Sequence, residues 1–150
     1  MPHTLGVIYI HLIFSTKDRI PCLEASLRPR LFAYLATLVR DLDCECPRVG
    51  GMADHVHLAI RLSRTVTVSA LAEHIKVLSS KWIKTQGSVF SDFAWQPGYG
   101  VFSVGPADLE ALLTYIDRQE EHHRKKSFEE EFRQFLAKYG VDVDERYLWK

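Results

Sequence analysis

Cysteine, methionine and net charge are all scarce in this chain. Its 150 residues include three cysteines (Cys22, Cys44, Cys46) and two methionines, and the formal net charge is zero at neutral pH. An odd number of cysteines cannot pair completely, and a reducing compartment leaves them as thiols. Zero net charge does not mark a general polyanion binder, so any affinity for nucleic acid must come from local patches. No apolar run approaches the ~20 residues of a membrane helix. The start, Met1-Pro2-His3-Thr4, lacks the basic-then-apolar layout of a signal peptide. The expectation is a cytoplasmic protein with no membrane partner.

What is present is the composition of an ordinary globular protein, 47% hydrophobic and 25% charged. That is enough for one domain, 1–150, with a core of its own. Six acids against four bases in residues 127–150 give that end a net charge of −2 and leave +2 on residues 1–126. Basic patches are Lys17/Arg19, Arg61/Arg64, Lys76/Lys81/Lys84 and Arg124-Lys125-Lys126.

Residues 6–16 alternate, with Ile8, Ile10, Leu12 and Phe14 on one side and Tyr9, His11, Ile13 and Ser15 on the other, the period of a strand. Residues 24–42 predict a helix with Leu27, Leu31, Tyr34, Leu35, Leu38 and Leu42 as its apolar stripe. Residues 44–51 and 54–62 read as a hairpin around Gly50-Gly51-Met52-Ala53. A second helix over about 67–86 buries Leu71, Ile75, Leu78 and Trp82. A fourth strand falls near 94–104, where Pro97, Gly98 and Gly100 suggest an edge or a bulge. A third helix runs from Pro106 to about Lys125. Ser127-Phe128-Glu129-Glu130 is a capping box opening a short further helix, stopped by Gly140. The order β-α-β-β-α-β-α is the α+β, ferredoxin-like pattern with C-terminal helices added.

Chemistry concentrates in Asp54-His55-Val56-His57-Leu58-Ala59-Ile60. In a strand His55 and His57 project from one face, while Val56, Leu58 and Ile60 enter the core from the other. Two imidazoles side by side on a rigid strand suit a divalent metal. By the same parity His11 joins them, on a sheet face that the ferredoxin-like pattern leaves without helices. The third helix adds a stripe of Tyr115, Gln119 and His122 at i, i+4 and i+7. A phenol is a poor nucleophile at neutral pH, and a divalent cation beside it can offset the charge developing on a phosphodiester. The amide oxygen of Gln119 is a hard ligand that suits Mg²⁺ or Mn²⁺ better than zinc.

Together these segments resemble the HUH single-tyrosine transposases of the smallest bacterial insertion sequences, which include the REP-associated tyrosine transposases. The resemblance rests on residues 9–17 (YIHLIFSTK), 54–58 (DHVHL), 79–83 (SSKWI), 95–100 (WQPGYG) with Phe102-Ser103-Val104, and Tyr115-Ile116-xx-Gln119-xx-His122-His123. It spans residues 6 to about 126, with an echo in Tyr147-Leu148-Trp149. It implies an HUH endonuclease fold and a transposase that nicks and rejoins single-stranded DNA at transposon ends. His55, His57 and Gln119 would hold the metal, and Tyr115 would form a 5′-phosphotyrosine. His11 and His122 are possible supporting residues around that site. The DNA would carry a hairpin, gripped by basic positions around Lys17, Arg19, Lys76 and Lys81. The resemblance also implies a homodimer in which the tyrosine helix can act in trans.

Three rivals stand beside this reading. Cys44, Cys46, His55 and His57 on one hairpin could form a zinc module. A domesticated relative could hold hairpin DNA or RNA without cutting it. A metal-dependent hydrolase could use water in place of the tyrosine.

Overall fold

The structure is a computed structural model, and it describes residues 3–123 and 125–143. The elements are β1 (Tyr9–Ser15), α1 (Arg28–Arg40), β2 (Glu45–Gly51), β3 (His55–Arg61), α2 (Val68–Lys84), β4 (Gly100–Val104), α3 (Leu109–Asp117), α4 (Gln119–His122) and α5 (Phe128–Lys138). One antiparallel sheet has the order β2-β3-β1-β4, with β1 and β3 at its centre. This is the expected α+β, ferredoxin-like arrangement. Among the described residues no helix is long and apolar enough to cross a membrane.

Strand parity sorts the side chains as the alternation predicts. Ile10, Leu12 and Phe14 of β1 and Val56, Leu58 and Ile60 of β3 join Leu31, Leu35 and Leu38 of α1 and Leu71, Ile75 and Ile83 of α2 in the main core. The buried face of α2 is rotated from the predicted one, running through Leu71, Ile75, Ser79 and Ile83. Ser79 is buried there because its Oγ accepts the indole N–H of Trp95 at 2.9 Å. Leu78 and Trp82 lie at the rim, with Trp82 stacked on Tyr34.

The opposite sheet face is not bare, and here the expectation is corrected. Leu112, Leu113 and Ile116 of α3 pack on Ala59 of β3. Phe128, Phe132 and Phe135 of α5 pack with Ile13 of β1 and Phe102 of β4. Aromatic residues repeating along α5 provide the apolar stripe that drives it onto the sheet. Small residues let α3 come close. A Cβ on Gly50 would stand 2.6 Å from the Ile116 side chain and 2.8 Å from its carbonyl oxygen.

Two other expectations change. The strand over 94–104 is interrupted: Trp95 makes an isolated bridge to Thr16, and regular pairing resumes at Gly100. Between them Pro97 lacks an N–H and Gly98 adopts φ +85°. The third helix also breaks, at Arg118 (φ −99°, ψ 25°), which separates α3 from α4. The capping box at Ser127 forms, its side chain accepting the Glu130 N–H. Gly140, at φ +67°, ends α5. Arg124 and the 146–150 tail lie outside the described residues.

Candidate metal centre and active site

β3 delivers His55 and His57 to the space between the sheet and the α3–α5 layer, where both are wholly buried. Each is held by its outer nitrogen. His55 Nδ1 is 2.7 Å from Asp54 Oδ1, and His57 Nδ1 is 2.8 Å from His11 Nε2. Asp54 is itself fixed by its backbone, whose carbonyl accepts the Thr16 N–H. A third imidazole arrives from the end of α4. His123 Nδ1 is 2.8 Å from the Lys126 carbonyl oxygen. Placing the proton of each ring on Nδ1, as a donor to these acceptors, leaves three Nε2 lone pairs directed inward. Metal-bound histidines carry the same outward hydrogen bond.

The three Nε2 atoms converge on Glu131 of α5. Glu131 Oε1 lies 2.9 Å from His57 Nε2 and 3.7 Å from His55 Nε2, and Oε2 lies 3.2 Å from His123 Nε2. One ligand atom from each of the four residues fits within 4.8 Å of the others. Donors around one tetrahedral ion stand roughly 3.4 Å apart. His57 Nε2 and Glu131 Oε1 are buried, and neither has a hydrogen-bond partner of good geometry. Two buried, unsatisfied acceptors facing one another are what a cation between them would resolve. The residues present therefore fit a divalent metal.

Gln119, the expected third ligand, is at the same place. Its Oε1 lies 3.1 Å from both His55 Nε2 and His123 Nε2, while its amide N–H₂ donates to the Tyr115 carbonyl. Tyr115 is there as well, its hydroxyl donating a short hydrogen bond to Glu131 Oε2. The Tyr115 ring stands 5.8 Å from that of His57 and 4.6 Å from that of His122. His122 thus lines the tyrosine rather than the imidazole cluster, and His11 supports His57. Nucleophile candidate and ligand cluster meet within one chain.

Burial and neighbouring charge set the protonation states. Burial brings His57 down to about 4 and lowers His11, so both rings are neutral near pH 7. Burial opposes charge on His123 too, but hydrogen bonding to the Glu131 carboxylate outweighs it and raises the imidazole. Burial alone would raise Glu131, and the hydrogen bonds from His123 and Tyr115, with the His57 ring beside it, instead hold it well below the usual carboxylate range. Burial, followed by the charge and hydrogen bond of Glu131, pushes the Tyr115 phenol up, so it is fully protonated here.

Sequence reading missed His123 and Glu131. The break at Arg118 changes the helical phase and turns His123 inward at i+4 from Gln119. Glu131 figured only among the six acids counted in residues 127–150, yet it interrupts the aromatic series Phe128, Phe132, Phe135. An acid inside an apolar stripe is the signal that could have revealed it.

The predicted basic positions disperse. Lys76 Nζ donates to the carbonyls of Gln96 and Gly98 at 2.7 and 2.6 Å, bracing the 94–99 segment. Arg19 pairs with Glu129 of α5 at 2.7 Å. Lys17 and Lys81 are exposed. The zinc set does not assemble. The β2 register slips between Glu45 and Arg48, a bulge that turns Cys46 from the histidine face to the helix-side core. Cys44 is buried in that same core, and burial pushes the Cys46 thiol up to about 12.

The chain matches the family described as "Transposase IS200 like" over residues 4–119. Among solved structures it is similar to a protein of Deinococcus radiodurans assigned as a transposase. That match has 20% identity and a TM-score of 0.63, covering 79% of this chain and 95% of the other. It is also similar to a REP-associated tyrosine transposase bound to a REP hairpin, with 14% identity and a TM-score of 0.60, covering 82% of this chain and 72% of that one. No curated protein gives a significant match. With more than two-thirds of its length matched by the family, and with the same fold as both structures, the chain belongs to the IS200-like transposases.

Proposed function

We propose that this protein is a metal-dependent, single-tyrosine transposase that cleaves and rejoins single-stranded DNA. The observation that carries the reading is the contact of the Tyr115 hydroxyl with Glu131 at the edge of a three-imidazole, one-carboxylate cluster. Tyr115 Oη attacks the scissile phosphorus, the bond from phosphorus to the 3′-oxygen breaks, and a 5′-phosphotyrosine and a free 3′-OH result. The phenolic proton has an acceptor in Glu131. Attack by another strand's 3′-OH reverses the step, so no nucleotide cofactor is consumed.

His55, His57, His123 and Glu131 would hold the ion, with the Gln119 oxygen close enough to join or replace one of them. When bound, the ion polarises the phosphate and offsets its developing charge. Three imidazoles with oxygen donors favour Mn²⁺ over Mg²⁺, which prefers all-oxygen surroundings. Completeness of the site within one chain supports action in cis, although the resemblance raised a dimer acting in trans. The hairpin partner is inferred from the relative whose structure holds a REP hairpin.

The test is covalent capture. Protein incubated with labelled hairpin oligonucleotides and Mn²⁺ should yield an SDS-stable adduct that Tyr115→Phe abolishes. An adduct surviving in Tyr115→Phe would refute the nucleophile. Hairpin binding by the wild-type protein with no adduct under any divalent ion would instead mark a non-catalytic binder.

A further inference from the structure

Two cavities adjoin at Tyr115. One, of 190 Å³, opens onto the tyrosine and Glu131 between His122, Lys126 and Lys138. The other, of 740 Å³, lies between β4, α3 and α5 and reaches His11. Both include Tyr115, Phe135 and Lys138 in their walls, so the tyrosine sits where they meet. The larger lies within the size range of small-molecule sites, about 300–1,000 Å³, and can take a nucleotide.

Together the two cavities have the chemistry of a single-strand track. Lys126 and Lys138 are exposed, and among the described residues neither ammonium pairs with a carboxylate. Lys126 Nζ donates only to the neutral Gln134 side chain at 2.6 Å, and Lys138 Nζ stands 5.5 Å over the Tyr139 ring. Tyr139 stacks on Phe102 and remains 37% exposed, so its ring is both anchored and reachable. The acids in the walls are Asp108, at the α3 end, and the buried Glu131 beside Tyr115. Cations spaced along a groove and an anchored, accessible aromatic ring are the two elements that grip unpaired strands.

We infer that this cleft binds the single-stranded DNA running through the active site, with Lys126 and Lys138 holding phosphates on either side of Tyr115 and Tyr139 stacking a base. The inference rests on the nicking activity proposed above. It assigns α5, whose sequence is net acidic at its start, a positive and aromatic substrate-binding edge at its end.

Binding can be separated from cleavage by working in chelator with a labelled single-stranded deoxyoligonucleotide. Each lost phosphate contact on a single strand reduces the slope of log affinity against log salt by about 0.7. Lys126→Gln/Lys138→Gln should therefore flatten it by about 1.4. Tyr139→Ala should weaken binding roughly tenfold with the slope unchanged, and Tyr139→Phe should restore it. Arg30→Gln, on the far side of the sheet, should leave both quantities as in wild type. A wild-type slope in the double-lysine variant, or equal flattening by Arg30→Gln, would overturn the assignment. These results are independent of the adduct assay: loss of the adduct with the slope change intact faults the nicking reading, and the reverse faults the cleft.

Discussion

The Tyr115 hydroxyl donates to one oxygen of Glu131 while the other oxygen stands 2.9 Å from His57 Nε2. A single carboxylate on α5 thus joins the candidate nucleophile on α3 to the histidine pair on β3. Because Glu131 is nearly inaccessible to solvent, it is held by these partners rather than by water. Its charge raises Tyr115 and its oxygens complete the metal set, so one side chain influences both halves of the site.

Glu131→Gln keeps the side chain's shape and removes its charge. The Tyr115 phenol should then ionise at lower pH, observable by ultraviolet difference titration of tyrosinate with Tyr115→Phe as the blank. Mn²⁺ affinity should fall in the same variant, measured calorimetrically. An unchanged Tyr115 titration would mean that burial alone sets its protonation.

Asp54 and His11 touch the cluster only through His55 and His57. Losing such an orienting partner commonly weakens metal binding about 10- to 100-fold. Asp54→Ala and His11→Ala should do so for Mn²⁺ by isothermal titration. Asp41→Ala, which frees the unrelated His74, should not.

Acid should destabilise the metal-free protein in a defined window. His57 and His11 have folded values below their ordinary 6.5, His57 at about 4, so the unfolded chain binds more protons across that interval. Their contribution is complete above about pH 6.5 and is lost as pH falls toward 4. Glu131, held lower, adds a loss only at more acidic pH. His123, raised by Glu131, works oppositely: its contribution is complete below 6.5 and fades above. Thermal unfolding in chelator should show Tm falling from near-neutral pH to about pH 4. A flat Tm across that range would contradict a neutral buried pair.

Gly50→Ala tests the seating of α3. The added methyl meets both the side chain and the carbonyl of Ile116, so relief requires moving the helix. Overpacking of this kind costs about 1–3 kcal/mol, readable in urea unfolding. Ile116→Val should not recover it, because the Cγ2 methyl and the carbonyl that the new methyl meets both remain.

Much of the fold was legible because strand parity and helical period act locally. Val56, Leu58 and Ile60 had to face away from His55 and His57 whatever the partners, and Leu31, Leu35 and Leu38 had to share a helix face. Register irregularities were not legible in the same way. The bulge before Arg48 separates Cys46 from the histidines, and no alternation pattern announces it.

By itself, the sequence determined which residue types share a strand face or a helix stripe: His11 with His55 and His57, and Tyr115 with Gln119. Those relations follow from backbone geometry over a few residues. Tertiary structure alone decided that α5 crosses the supposedly open face, that the kink at Arg118 turns His123 inward, and that Glu131 closes the cluster. Each depends on long-range packing of Phe128, Phe132 and Phe135 against Ile13 and Phe102, which local periodicity cannot specify. Burial by that packing also sets the protonation of Tyr115, His57 and Glu131, and with it the chemistry open to the site.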